Sequence, residues 1–166
     1  RVLVRAASES GKQVAILAPT TILAYQHFRT FSERMQNFPV RIVLLSRLKL
    51  PRELQRDDDE VLKSIAKGKV DIIVGTHRLL SKDIIFKNLQ LLIIDDEQRF
   101  GVKQKERLRQ QKPSLDILSL SATPIPRTIY LALSSFKNIS LMQTPPQGRK
   151  SIKTKVMPYN VESIKQ

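Results

Sequence analysis

Cysteine is absent from the 166 residues. No disulfide scaffold and no thiolate metal site can be built from such a chain, and the absence fits a reducing compartment. Glycine is scarce, with five in all, and no phosphate-binding loop of the form G-x-x-x-x-G-K-S/T occurs. Gly11-Lys12 comes nearest. No earlier glycine stands at the required spacing, and the pair precedes an apolar run where the loop would follow one. No apolar run approaches the roughly 20 residues of a membrane-spanning helix, so no membrane partner is expected. The opening residues do not read as a signal peptide, and no internal repeat is visible. Acidic residues are few. Fifteen Asp and Glu face 29 Lys and Arg, a formal net charge of +14. That balance predicts attraction to polyanions, nucleic acid first, against the plainer reading of a solvated basic surface.

With 41% hydrophobic residues, the chain can bury the core of one domain. Short apolar runs recur at 14–17, 40–45, 72–74, 91–94 and 117–120. They are β-branched or Leu-rich and do not alternate, as strands buried on both faces of a parallel sheet read. Helical spacing occupies the intervals. Over 21–35 it aligns Leu23, Ala24, His27, Phe28 and Phe31 on one face, and over 52–66 it aligns Leu54, Val61, Leu62 and Ile65. Shorter helices are expected at 102–111 and 128–134, and residues 1–10 read as the later part of another. Strands alternating with helices predict an α/β layer fold with right-handed crossovers. The Pro- and Lys-rich tail from Thr144 reads as a linker. Arg rather than Met at position 1 suggests a piece of something longer.

The strongest chemical signal is the apolar run ending in Asp95-Asp96-Glu97-Gln98. Ligands of open parallel sheets bind beyond the carboxyl ends of strands. Carboxylates clustered there repel one another unless a cation shares them, and Mg²⁺ is the usual one beside phosphates. The competing reading is a solvated acidic loop. A second acidic run, Asp57 to Glu60, lacks a preceding apolar run and reads as a helix start favoured by the helix dipole. Ser121-Ala122-Thr123-Pro124-Ile125-Pro126-Arg127 follows the last run, where small hydroxyl residues can bond to neighbouring carboxylates, or simply turn the chain into a helix. Ala18-Pro19-Thr20-Thr21 and Gly75-Thr76-His77-Arg78 each follow a strand. Free N–H groups and hydroxyls at such places suit phosphates, whereas the plain reading is N-capping by Thr. His27 and His77 are too isolated to suggest a metal, and His27 is expected to pack on its helix face.

Together these segments resemble the superfamily 2 helicases and translocases. Ala18 to His27 is similar to motif Ia, Gly75 to Leu80 to motif Ib, Asp95 to Gln98 to motif II, and Ser121 to Thr123 to motif III. Extended forms, from Gln98 to Glu106 and from Ala122 to Thr128, resemble two branches: the coupling factors of transcription-coupled repair and the RecG-type branch-migration helicases. Leu45-Ser46-Arg47 and the stretch from Thr144 to Thr154 look more like the former. The resemblance covers about residues 1–157.

It implies a RecA-like, mostly parallel sheet with helices on both faces, a first motor domain over 1–145 and a linker over 146–166 toward a second RecA-like domain in cis. It implies ATP and Mg²⁺ as cofactors, double-stranded DNA as partner, RNA polymerase as a partner of the parent protein, and residence in bacterial cytoplasm (nucleoid) or plastid stroma. By position, Asp95 would hold Mg²⁺ through water, and Asp96 stands where the family has the Glu that orients the hydrolytic water. Gln98, Ser121, Ala122, Thr123 and Arg127 would couple nucleotide state to domain closure. Pro19, Thr20, Thr21, Ser46, Arg47, Gly75, Thr76, His77 and Arg78 would line the DNA path, mostly on the phosphate backbone, as suits a motor that steps along any sequence.

Two departures matter. The phosphate-binding loop is missing, as though the chain began just past it, and Asp96 is one methylene shorter than the Glu of the family, at a place where displacements near 1 Å matter. The stretch 48–59 is also longer than the family pattern. The second domain would supply the arginine finger of phosphoryl transfer. The chain alone is therefore expected to hydrolyse no ATP and to bind DNA weakly. Two further readings compete: a non-catalytic, degenerate nucleic-acid-binding module, and an unrelated basic α/β enzyme for a phosphorylated metabolite.

Overall fold

The computed structural model describes residues 11–46, 58–100 and 114–121, with 138, 140, 142, 144, 148 and 156. Its elements are β1 (Gln13–Leu17), α1 (Thr21–Met35), β2 (Ile42–Leu45), α2 (Asp58–Ala66), β3 (Ile72–Gly75), a short 3-10 helix (His77–Leu80), β4 (Leu89–Ile94), a second (Glu97–Arg99) and β5 (Asp116–Ser119). The chain divides into two compact units, Arg1–Ile125 and Pro126–Gln166. The expected boundary at 145 and the helices expected at 1–10, 102–111 and 128–134 lie outside the described residues.

All strand pairs are parallel, in the order β2-β3-β1-β4-β5. β1 is central, and the non-alternating apolar runs follow from its position. Ala15 and Leu17 face one layer, with Val61 and Ile65 of α2. Val14, Ile16 and Ala18 face the other, with Ala24 of α1 and, half-buried, Leu23, Phe28 and Phe31. Every residue of β1 and β3 is buried. The edge strands differ. β2 alternates half-buried and buried, and β5 alternates exposed and half-buried, so burial on both faces, expected for 117–120, fails at that edge.

The helices start and stop where elementary capping requires. Thr20 holds extended backbone and its Oγ1 accepts from Leu23 N–H at 3.3 Å, an N-cap that satisfies one orphan donor of α1. Asp58, Asp59 and Glu60 fill the first turn of α2, where the helix dipole favours negative charge. The same helix ends at Gly68, whose φ of +73° is open to glycine. Gly68 N–H donates to Ile65 C=O and Lys69 N–H to Ser64 C=O, each at 2.9 Å, the paired bonds of a Schellman end.

Among the described residues one polar side chain is fully buried. Gln13, 1% exposed, donates through Nε2 to the carbonyls of Ile65 at 3.0 Å and Val70 at 2.9 Å, and its Oε1 accepts from Asn88 N–H at 3.1 Å. It ties the start of the central strand to the end of α2 and to the entry into β4. Gln13→Leu keeps the volume and strands two buried carbonyls, those of Ile65 and Val70, and the part-buried Asn88 N–H. Each unmet buried group costs about 1–3 kcal/mol, so a loss of about 2 kcal/mol or more in urea-unfolding stability is expected.

Candidate nucleotide and nucleic-acid edge

Because the sheet is parallel, its carboxyl ends share one edge. Leu45, Gly75, Leu17, Ile94 and Ser119 are consecutive cross-strand partners. The next residues therefore form a row: Ser46, Thr76, Ala18, Asp95 and Leu120. Hydrogen bonds carry the ladder into that row. Ala18 N–H donates to Gly75 C=O at 2.9 Å, Asp95 N–H to Leu17 C=O at 2.9 Å, and Leu120 N–H to Ile94 C=O at 2.8 Å. Motifs separated by up to about a hundred residues in sequence are thus brought side by side by register alone.

Asp95 stands in this row between Ala18, after the central strand, and Leu120. Its Oδ2 is 2.8 Å from His27 Nε2, with the two side chains 27% and 31% exposed. The expectation that His27 only packs on its helix face is corrected here. Its ring does lie near Phe31, centroids 6.3 Å apart, but its polar edge binds the motif II carboxylate. The signal was present: one polar residue in an apolar helical stripe that faces a sheet needs a partner.

Asp96 has a φ of +54°, a left-handed conformation that Asp tolerates better than most residues. This turns the chain sharply out of β4, and Arg99 N–H closes the turn on Asp96 C=O at 2.9 Å. Asp96 Oδ1 accepts from Gln98 Nε2 at 3.1 Å, and Gln98 Oε1 accepts from Ser121 Oγ at 2.9 Å. The relay joins the turn after β4 to the residue that follows β5, two places where the sequence put coupling residues. Arg99 Nε stands 3.9 Å from Asp96 Oδ2. Ala122, Thr123 and Arg127 lie outside the described residues.

On the other flank, Thr21 Oγ1 lies 3.3 Å from Ser46 Oγ, joining two of the expected DNA-path positions. Pro19 and Thr20 lie in the same turn before α1, and Arg47 lies outside the described residues. Gly75 serves packing: a Cβ there would stand 2.5 Å from Leu45 C=O and 2.9 Å from Leu79 Cγ. The His77 ring stacks against Phe100, centroids 4.7 Å apart. Phe100 is 4% exposed, and composition alone did not single it out. Arg78, expected on the DNA path, is paired within the protein. Its guanidinium makes two bonds to Asp83, at 2.7 and 2.6 Å, with only 17% of the side chain exposed. That pairing holds its pKa above the ordinary value, against the opposing pull of burial.

A parallel sheet with acids, hydroxyls and a cross-linked relay on one edge is the RecA-like arrangement. Structural comparison agrees: the chain superposes on RecG bound to a three-way DNA junction with a TM-score of 0.67 and 34% identity, covering 90% of this chain and 19% of that one. A Dbp5 variant of S. cerevisiae bound to RNA and ADP BeF3 shares the fold, with a TM-score of 0.56 at 15% identity over 86% of this chain and 37% of that one. The chain belongs to the DEAD/DEAH box helicase family, whose profile matches residues 2–131.

Within that class it is most informatively similar to transcription-repair-coupling factors. It is 49% identical to that of Bacillus subtilis (strain 168), over 96% of this chain and 13% of that protein. It is also 49% identical to that of Staphylococcus aureus (strain USA300), over 99% of this chain and 14% of that protein. The chain thus spans 13–14% of the length of these relatives.

Two outcomes are expected from this edge. Gly75→Ala should lose about 1–3 kcal/mol of stability, the usual cost of overpacking, read from the urea midpoint. Arg78→Gln should change the slope of log DNA affinity against log salt by well under the ~0.9 of a lost phosphate contact, because Asp83 already neutralises the guanidinium. A change of a full unit would mean that Arg78 leaves Asp83 for a phosphate.

Proposed function

We propose that the chain is the first RecA-like motor half, over 1–145, of an ATP-dependent double-stranded DNA translocase acting in transcription-coupled repair, with 146–166 leading to a second motor domain in cis. The observation that carries this reading is Asp95 in the row of strand ends, bonded to His27 of α1 and adjacent to Asp96, from which the Gln98–Ser121 relay runs. Family membership and the likeness to coupling factors support it. A RecG-type branch-migration helicase is the neighbouring alternative, supported at lower identity.

ATP and Mg²⁺ are the proposed cofactors, and the donors present fit the cation. Asp95 and Asp96 offer hard carboxylate oxygens. Among the described residues no group of three or more His, Cys, Asp or Glu side chains is placed to enclose a metal. That suits Mg²⁺, which keeps its waters and leans on one or two carboxylates plus phosphates. The cation supplies charge neutralisation on the phosphates when bound. Asp95 would orient its water shell. Asp96 would accept a proton from, or orient, the attacking water, after releasing Gln98. Gln98 and Ser121 would report that release to motif III, together with Ala122, Thr123 and Arg127.

Along the same edge, Pro19, Thr20, Thr21, Ser46, Arg47, Gly75, Thr76 and His77 would face the phosphate backbone, reading shape and not sequence. Arg78 would support that loop from within through Asp83. The +14 charge supplies the long-range attraction. RNA polymerase would engage parts of the parent protein beyond this chain, in the bacterial cytoplasm or plastid stroma. Among the described residues no helix is long and apolar enough to cross a membrane.

The test is ATP hydrolysis by the complete two-domain motor, with and without duplex DNA. DNA-stimulated turnover should fall by at least about a hundredfold in Asp95→Ala, the scale on which preorganised electrostatic groups act. Asp96→Glu should raise turnover if the shorter carboxylate limits it. A folded, DNA-binding protein with no turnover in either form would replace the motor by a degenerate binding module.

A further inference from the structure

We propose that His27 is a positioning residue for the Asp95 carboxylate, and that it makes α1 the element through which the nucleic-acid edge acts on the cation site. The inference rests on the motor reading above, in which Asp95 holds Mg²⁺ through water and the turn before α1 meets DNA.

Asp95 is fixed at its backbone by the N–H bond to Leu17 C=O at 2.9 Å, but that leaves its carboxylate free to rotate. His27 removes the freedom by donating from Nε2 to Oδ2 at 2.8 Å, which leaves Oδ1 to address the coordinated water. The imidazole is itself held from behind. Phe31, one turn further along α1, lies 6.3 Å from it, ring to ring, and packs against the sheet. Partners that orient a metal-site ligand are generally worth 10–100-fold in metal affinity or activity.

The same helix carries the other contact. Its first turn holds Thr20 as N-cap and Thr21, whose hydroxyl meets Ser46. At about 1.5 Å per residue, His27 lies roughly 9 Å along the axis from Thr21. α1 rests on the sheet through the buried Ala24 and Met35 and the partly buried Leu23, Phe28 and Phe31. A phosphate backbone drawn to Thr20 and Thr21 would displace the imidazole, and with it the Asp95 carboxylate, along one rigid rod.

Two substitutions separate this role from packing. His27→Phe keeps the ring and removes the donor, and His27→Gln returns a donor at similar reach. In the complete motor, Mn²⁺ binding in the presence of ADP is followed by the electron paramagnetic resonance of free Mn²⁺, beside melting temperature and duplex affinity. His27→Phe is expected to weaken Mn²⁺ binding on the order of tenfold and to lower the ratio of DNA-stimulated to basal hydrolysis. Melting temperature and duplex affinity should hold, and His27→Gln should restore most of both effects. Unchanged Mn²⁺ affinity in His27→Phe, or a loss that His27→Gln fails to restore, overturns the positioning role. Weaker Mn²⁺ binding with intact DNA stimulation keeps that role and overturns the link through α1. A parent motor that binds Mn²⁺ with ADP no better than its Asp95→Ala variant would overturn the motor reading instead, a result distinguishable from either.

Discussion

The parallel register of β1 between β3 and β4 is the constraint on which the rest depends. Leu17 pairs with Gly75 on one side and Ile94 on the other, so the chain exits three strands at one level. Antiparallel pairing would send neighbouring loops to opposite edges. Here Ala18, Thr76 and Asp95 emerge together, and Ser46 and Leu120 extend the row through β2 and β5. The cost of parallel order is burial on both faces, which explains why β1 and β3 contain no exposed residue. Gln13, the one polar exception in β1, has all its partners supplied by backbone, as a buried amide requires.

The loops on this edge are cross-linked in pairs. Thr21 meets Ser46, His27 meets Asp95, His77 stacks on Phe100, and Ser121 reaches Gln98. None of these contacts is strong by itself, since a typical intramolecular hydrogen bond contributes only about 1 kcal/mol net. Their value is geometric. Each joins loops that follow different strands, or a loop to the helix facing it, so one cannot move without its partner. Arg78 is the exception in kind: its bidentate bond to Asp83 stiffens a single connection. A basic residue that the sequence offers to a phosphate is thereby engaged within its own loop.

Much of the fold was legible because burial writes itself into short apolar runs. The five runs coincide with the five strands to within two residues, and α1 occupies 21–35 as its spacing predicts. The start of α2 was legible through its acids, whereas its expected first residues, 52–57, lie outside the described part. At the site, side-chain identity was legible and partnership was not. His27 announced its helix face but not the Asp95 carboxylate, 68 positions away. Arg78 carried the right charge for phosphate, and only its coordinates reveal that Asp83 holds it. Leu118, in a run that reads as core, is 46% exposed, because a strand's composition does not say whether it lies at the centre or the edge.

The two adjacent carboxylates are held by different parts of the molecule, and this bears on the proposal that Asp96 stands in place of a Glu. Asp95 continues the β4 ladder and is gripped from across the sheet by α1. Asp96 has left the ladder. Its left-handed backbone turns it away, and its carboxylate is gripped from within its own turn by Gln98. One acid therefore answers to the helix that begins at Thr21, and the other to the relay that ends at Ser121. A shorter side chain changes these two dependencies unequally. At 95, a change in reach would break the bond to His27 of α1. At 96, the missing methylene is tolerated by a turn that Asp enters more readily than Glu, so the local backbone gains what the reach of the carboxylate loses. Asp at this position is thus compatible with the fold, and in the proposed motor its consequence would fall on the distance from Asp96 to the water it would orient.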